Sequence, residues 1–476
     1  MSRLKPTRGV RANSVRTAQS TPRISGRWST IAALVGALAL SCSDPAPQQA
    51  PPPAAPEAPP RVLVIGVDGA SKGLVESMRQ EGLLPNLDAI AREGSTGVAS
   101  PTGYLLSPRI WTTVATGKLP EKHGIHSWVR PEGEEGVRLY SSRDRTAHAL
   151  WNMFSDAGYS VAVVNWLMTQ PPEEINGVMI SDHAAEGSAR ASEMLAAFSN
   201  QPPTGPVDPP PTGPDTVGGA GLTYPAGWQN RLADLREGEA VTELPDPFTS
   251  ERGWLGEHPI FGFLRKMYRN DAFAARTALA IEEELRPDLM LVYLPGIDRM
   301  SHILWYSVEP EEALESIPEE SRPSQWERKV HGDALRLYYR HVDAIIGRLL
   351  EGRSPDDLVI VLSDHGFELD LSETPPRGTH VSNAARDGIL YLRGRGIPRG
   401  RSDLRMKMAQ FAPTILAWMG MPTAEDMDGV PAEFLDAPPS GQIATYDLTP
   451  VRRVESQNGE IESRIIEDLK GLGYVE

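Results

Sequence analysis

Three unbroken aliphatic runs constrain this chain more than any other feature: RVLVIGVDGA, LMLVYLPGID and LVIVLSDHG. Each has strand length, and none shows the polar alternation of a half-exposed strand, so each is expected to be buried on both faces. YSVAVVNW reads as a further strand. Between these runs, KGLVESMRQEGLLPNLDAIAREG, ALWNMFSDAG, ARTALAIEEELRP and ALRLYYRHVDAIIGRLLEG space their apolar residues as amphipathic helices do. Apolar strands alternating with such helices predict an α/β fold: a mostly parallel central sheet with helices on both faces. Ligands of open parallel sheets collect beyond the carboxyl ends of the strands. Asp68, Asp298 and Asp364 each fall at such an end.

The beginning of the chain reads as an address. Residues 1–41 carry seven Lys/Arg and no acid, and they include the apolar run TIAALVGALAL. A basic region, a short apolar core and small residues are the layout of a signal peptide. Cys42 follows at once and is the chain's only cysteine. Its position resembles that of the lipidated cysteine in bacterial lipoproteins. The expectation is an exported protein of the cell envelope, membrane-anchored through Cys42 and facing the periplasm or exterior; a plain secretory signal or an uncleaved anchor is the alternative. Residues 42–60 are a Pro/Ala-rich linker that cannot pack a core. The folded domain is expected over 61–476, with a Pro/Gly-rich cap or insertion at about 186–254 in place of sheet, and an amphipathic helix in IESRIIEDLKGLGYVE. A formal net charge of −16, with so many basic residues in the leader, argues against duplex nucleic acid as a partner.

Three of the ten histidines occur in contexts that suit ligation: His302 in IDRMSH, His365 in SDHG and His380 in RGTH. With the strand-end carboxylates Asp68, Asp298 and Asp364 they make a mixed N/O donor set that suits Zn²⁺, with Mn²⁺ possible, and six donors are enough for two three-ligand sites. LSPRIWTTVATG supplies a nucleophile candidate. Ser107 followed by Pro108 reads as a helix cap with proline at the first helical position, and Gly117 as the helix stop. A hydroxyl there meets the free N–H groups that favour an anion.

VDGA, SPRIWTTVATGKLPEKHG, IDRMSH, SDHG and GTH, in that order, resemble the alkaline phosphatase superfamily, specifically its type I phosphodiesterase / nucleotide pyrophosphatase branch. The resemblance spans roughly Arg61 to Leu435 and implies an alkaline-phosphatase-like three-layer sandwich. It implies one zinc held by Asp298, His302 and His380, and another held by Asp68, Asp364 and His365 together with the Ser107 oxygen. Ser107 would be the nucleophile and phosphoserine the intermediate; Thr112 and Thr113 would fall inside the helix. The implied substrate is a small-molecule phosphate ester, most readily a diester. Relatives in this branch often carry asparagine shortly after the HG pair, where HGIHSWV places Trp128, so nucleotide specificity stays open.

Arg109 could reach a substrate phosphate or lie exposed on its helix, and Trp128 could contact substrate or simply pack. His123 suits a supporting place beside the nucleophile helix, His341 a surface or packed position, and Asp428 a structural turn. Phosphomonoester or phosphonate hydrolysis on the same scaffold is the alternative chemistry. A surface lipoprotein that binds without catalysis is the alternative class. Sulfatase chemistry is disfavoured by the spacing of Ser107, Pro108 and Arg109.

Overall fold

The computed structural model describes residues 59–132, 136–185, 221–245, 259–319, 322–372, 376–438, 441–455 and 466. The leader, Cys42, nearly all of the linker, most of 186–254 and all of the C-terminal segment but Ile466 lie outside the described residues. The chain divides into Met1–Glu57 and Ala58–Glu476, and all described strands and helices belong to the second unit.

Among the described residues, nine strands form the main sheet: β1 Val62–Val67, β2 Ser95–Ser100, β3 Val161–Val164, β4 Gly177–Ile180, β5 Thr223–Tyr224, β6 Leu289–Leu294, β7 Leu358–Leu362, β8 Gly388–Arg393 and β9 Leu404–Lys407. Their order across the sheet is β9-β2-β8-β7-β1-β6-β3-β4-β5. Parallel pairing runs from β7 through β1, β6 and β3 to β4, and joins β9 to β2. Only β8 and β5 run against their neighbours. The sheet is therefore mostly parallel, as the alternation of strand and helix segments predicts. β5 lies within the segment expected to stand apart from the sheet. Its two residues instead pair with Met179 and Ile180 and extend the sheet edge.

β1, β6 and β7 are buried at every position. Each Val, Leu or Ile shielded this way contributes about 1.5–3 kcal/mol, which is why uninterrupted aliphatic runs end up in the centre of the sheet. The helices that bear on the site are α1 Lys72–Gln80, α2 Pro85–Glu93, α3 Ser107–Thr116, α4 Leu150–Asp156, α5 Pro259–Leu285, α6 Gly296–Leu304 and α7 Gln325–Leu350. One hydrophobic cluster joins their inner faces to the strands. β1 is aligned with both flanking strands, Val62 facing Leu289 on one side and Leu358 on the other. Three strand ends from distant parts of the chain are thereby brought to one level.

Candidate active site

β7, β1 and β6 are neighbours, and each delivers a carboxylate at its carboxyl end. Asp364 and His365 follow β7, and Asp68 follows β1. Asp298 lies in the first turn of α6, directly after β6. His302 comes four residues later on the same helix, so both side chains share one face, with His302 Nε2 3.5 Å from Asp298 Oδ1. His380 follows a short hairpin formed by Glu368–Asp370 and Arg377–Thr379.

His365 stands at the centre. Its Nε2 lies 3.4 Å from Asp68 Oδ1, 3.6 Å from Asp364 Oδ2 and 3.7 Å from Asp298 Oδ1. The His380 ring stacks on that of His365 with centroids 3.9 Å apart, and its Nε2 is 4.0 Å from Asp298 Oδ1. Two groups of donor atoms converge within 4.8 Å: Asp68, Asp364 and His365, and Asp298, His365 and His380. In the second group His365 takes the place expected of His302, which stays beside Asp298 but outside the tightest cluster.

The donor chemistry fits divalent metal. His302 Nδ1 donates to the Gly378 carbonyl at 3.1 Å and His365 Nδ1 to the Gly366 carbonyl at 3.0 Å, so each Nε2 carries a lone pair. Burial lowers His365, and burial with the neighbouring imidazoles sets His380 well below the usual histidine value. His302 falls to about 3, chiefly through burial and then His365. All three rings are therefore neutral, as ligation requires. Burial first, and then the Asp68 and Asp298 carboxylates, push Asp364 well above the carboxylate range. Asp364 Oδ2 and His365 Nε2 are buried without a hydrogen-bond partner. Buried polar atoms rarely go without one, and a divalent cation would supply the partner both lack.

Ser107 is fully buried, with its Oγ 3.5 Å from Asp68 Oδ1. It is the first residue of α3; Leu106, with extended backbone, is the cap, one residue earlier than Ser-Pro suggests. Pro108 is still tolerated because the first-turn N–H groups have no partner within the helix. Gly117 ends α3 in the left-handed conformation at φ 70°, as its position implies.

Arg109 is partly buried, its Nε has no hydrogen-bond partner, and the nearest carboxylate, Glu121, is 4.0 Å away. Trp128 is buried in the core cluster. His123 lies under α3: its Nδ1 accepts from the Ile125 amide at 3.1 Å, so its Nε2 donates to Thr113 Oγ1, also at 3.1 Å. His341 is buried, bonded to Thr242 at 3.1 Å, with its ring 4.2 Å from that of Tyr268. Asp428 accepts from the Leu119 amide and from Lys122, which fixes a turn.

Three residues that sequence reasoning passes over also belong here. Trp111 Nε1 donates to Asp68 Oδ2 at 3.2 Å, and the Tyr293 hydroxyl donates to the same oxygen. Phe367 sits among the histidines, 5.0, 5.7 and 5.5 Å from the rings of His302, His365 and His380. The available signals are faint: a tryptophan four residues after the serine, and one tyrosine in an otherwise aliphatic strand.

The family profile described as Type I phosphodiesterase / nucleotide pyrophosphatase matches residues 62–407. No curated protein sequence matches the chain. Among solved structures, a 2-O GAG sulfatase is similar at 13% identity and a TM-score of 0.46, covering 78% of this chain and 73% of that one. Phosphonoacetate hydrolase from Sinorhizobium meliloti 1021, in complex with phosphonoformate, is similar at 16% identity and a TM-score of 0.37; 65% of this chain and 58% of that one are covered. Human ectonucleotide pyrophosphatase / phosphodiesterase 5 is similar at 12% identity and a TM-score of 0.39, covering 78% of this chain and 97% of that one.

Proposed function

The chain belongs to the type I phosphodiesterase / nucleotide pyrophosphatase family, and from that premise we propose that this hydrolase of phosphate esters cleaves phosphodiesters through a phosphoserine on Ser107. The observation that carries the proposal is the Ser107 hydroxyl at the start of α3, 3.5 Å from Asp68 Oδ1, amid converging carboxylates and imidazoles. Asp298, His302 and His380 would hold one zinc, and Asp68, Asp364 and His365 the other, with Mn²⁺ an option at either. When bound, two such ions supply Lewis acidity: they lower the pKa of a hydroxyl and offset charge on phosphoryl oxygens.

The rest falls to the chain's own groups. Asp68 Oδ1 accepts from and orients the Ser107 hydroxyl. The free N–H groups of the first turn of α3 face the phosphate and its developing negative charge. Ser107 Oγ forms a bond to phosphorus while the bond to one ester oxygen breaks, and that oxygen leaves as an alcohol carrying the proton that the Ser107 hydroxyl gives up. Water then attacks the phosphoserine, releasing a phosphate monoester and restoring the hydroxyl. Arg109, two residues beyond Ser107 and partly buried, is a candidate contact for a non-bridging oxygen; Trp128 supports from the core.

The place of action we propose is the cell envelope, reached through the leader and held by a lipid on Cys42. A panel of bis-aryl and mono-aryl phosphates, a phosphonate monoester and an aryl sulfate, each with and without chelator, tests the chemistry. Chelator-sensitive turnover with the diester fastest is expected. A monoester or phosphonate faster by orders of magnitude reassigns the substrate, and full activity in chelator overturns the metal assignment.

A further inference from the structure

The two oxygens of Asp68 face different neighbours. Oδ1 looks toward Ser107 Oγ at 3.5 Å and His365 Nε2 at 3.4 Å. Oδ2 accepts from the Trp111 indole at 3.2 Å and from the Tyr293 hydroxyl. Ser107 and Trp111 are four residues apart on α3, so a single helix face meets both oxygens of one carboxylate. The indole reaches its place because position 66 of β1 is glycine. A Cβ there would stand 2.6 and 2.7 Å from two carbons of the Trp111 ring. Tyr293 is aligned with Gly66 across the β1–β6 pair, so its hydroxyl comes to the same oxygen from the neighbouring strand. The Tyr293 and Trp166 rings each meet Trp111 edge-on at 5.2 Å, and all these side chains are buried.

We propose that Trp111 and Tyr293 are positioning residues: together they confine Asp68 to one-oxygen ligation and lock the nucleophile helix onto that ligand. The proposal rests on the two-zinc, serine-nucleophile reading. A carboxylate with both oxygens free can turn and engage a cation through both, filling coordination positions that a catalytic site must leave open. Two donors on Oδ2 prevent that turn. They also make the position of Ser107 relative to the Asp68, Asp364 and His365 group a property of one rigid unit.

Zinc affinity of the metal-stripped full chain, measured by competition with a chromophoric chelator, gives a readout independent of turnover. Trp111→Phe and Tyr293→Phe are expected to weaken one of the two zinc-binding steps about 10- to 100-fold and leave the other within about twofold. Both are expected to lower kcat on a bis-aryl phosphate by a similar factor with KM little changed. Gly66→Ala should reproduce the Trp111→Phe result by moving the ring while removing no polar atom. Trp166→Phe is the packing control: its ring abuts Trp111 and its Nε1 donates to the Trp111 carbonyl at 3.3 Å. It should lower Tm and leave both zinc steps in place. Tyr293→Phe deletes one oxygen only, so it decides the matter should Trp111→Phe not fold. The proposal is overturned if Tyr293→Phe and Trp111→Phe leave both zinc steps and kcat within about twofold of wild type, or if Trp166→Phe shifts zinc binding as much as they do. A wild type that takes up no zinc removes the underlying reading as well. Two zinc ions bound with unchanged variants remove the positioning role alone.

Discussion

Ser107 has no exposed surface, and its hydroxyl faces a carboxylate oxygen at 3.5 Å, a poor arrangement for packing and a good one for a nucleophile. Ser107→Ala is expected to reduce phosphodiester turnover about a thousandfold or more and to abolish covalent labelling of the protein by substrate phosphorus, with Tm little changed; initial rates and intact mass check both. Other buried polar side chains serve stability. His123 and His341 are neutral in the fold, each pushed to about 3, His123 by burial and then His126 and Arg145, His341 by burial and then Arg276. In the unfolded chain both return to 6.5. Between those values the unfolded state binds more protons, so their contribution is complete above about pH 6.5 and is lost as pH falls toward about 3. Urea midpoints followed from about pH 7 to about pH 4 should decline, and His341→Gln should flatten part of that slope. Asp68, Asp298, Asp364 and His365 were legible because acids and a histidine at the ends of aliphatic runs stand out, and His302 and His380 through the short motifs IDRMSH and RGTH. Tyr293 was not, since its partner Asp68 is 225 residues away and nothing local marks the pair.

Among elements, α6 is closely seated at its first residue. A Cβ at Gly296 would collide with the Tyr338 hydroxyl and come within 2.5 Å of Asp271 Oδ2, two groups that are themselves bonded at 2.6 Å. Because α6 carries both Asp298 and His302, Gly296→Ala is expected to cost about 1–3 kcal/mol by overpacking and to weaken zinc binding as well. Calorimetric unfolding and metal titration of the same variant test the two effects. Strands β1, β6 and β7 were legible because an aliphatic run with no alternation has few other places to go. STGVAS and the four residues of β9 were not: small and polar residues in one, and alternate burial at a sheet edge in the other, leave little hydrophobic signal. β5 is too short for any periodicity, so its pairing with β4 depends on tertiary contact. The start of α3 differed by one residue because proline is acceptable at either of the first two helical positions.

For the molecule as a whole, three carboxylates and three neutral imidazoles in one buried place predict a dependence on metal that grows with pH. Asp364 is raised well above its usual range without a cation, so its contribution to the metal-free fold is present at low pH and is lost as pH rises through that raised value. The Tm gap between zinc-loaded and chelator-treated protein should therefore widen as pH rises, as scanning calorimetry at stepped pH would reveal. Cys42→Ser, followed by membrane fractionation, tests the anchor: loss of membrane retention is expected, and unchanged retention counts against lipidation. Strand order also bears on synthesis. The Gly69 amide bonds Asp364 across 295 residues of chain, and His380 comes later still. A polypeptide released before residue 380 lacks one donor of the group formed by Asp298, His365 and His380, while Asp68, Asp364 and His365 all precede that point. Filling of the second group, and not of the first, would thus depend on synthesis having run past residue 380.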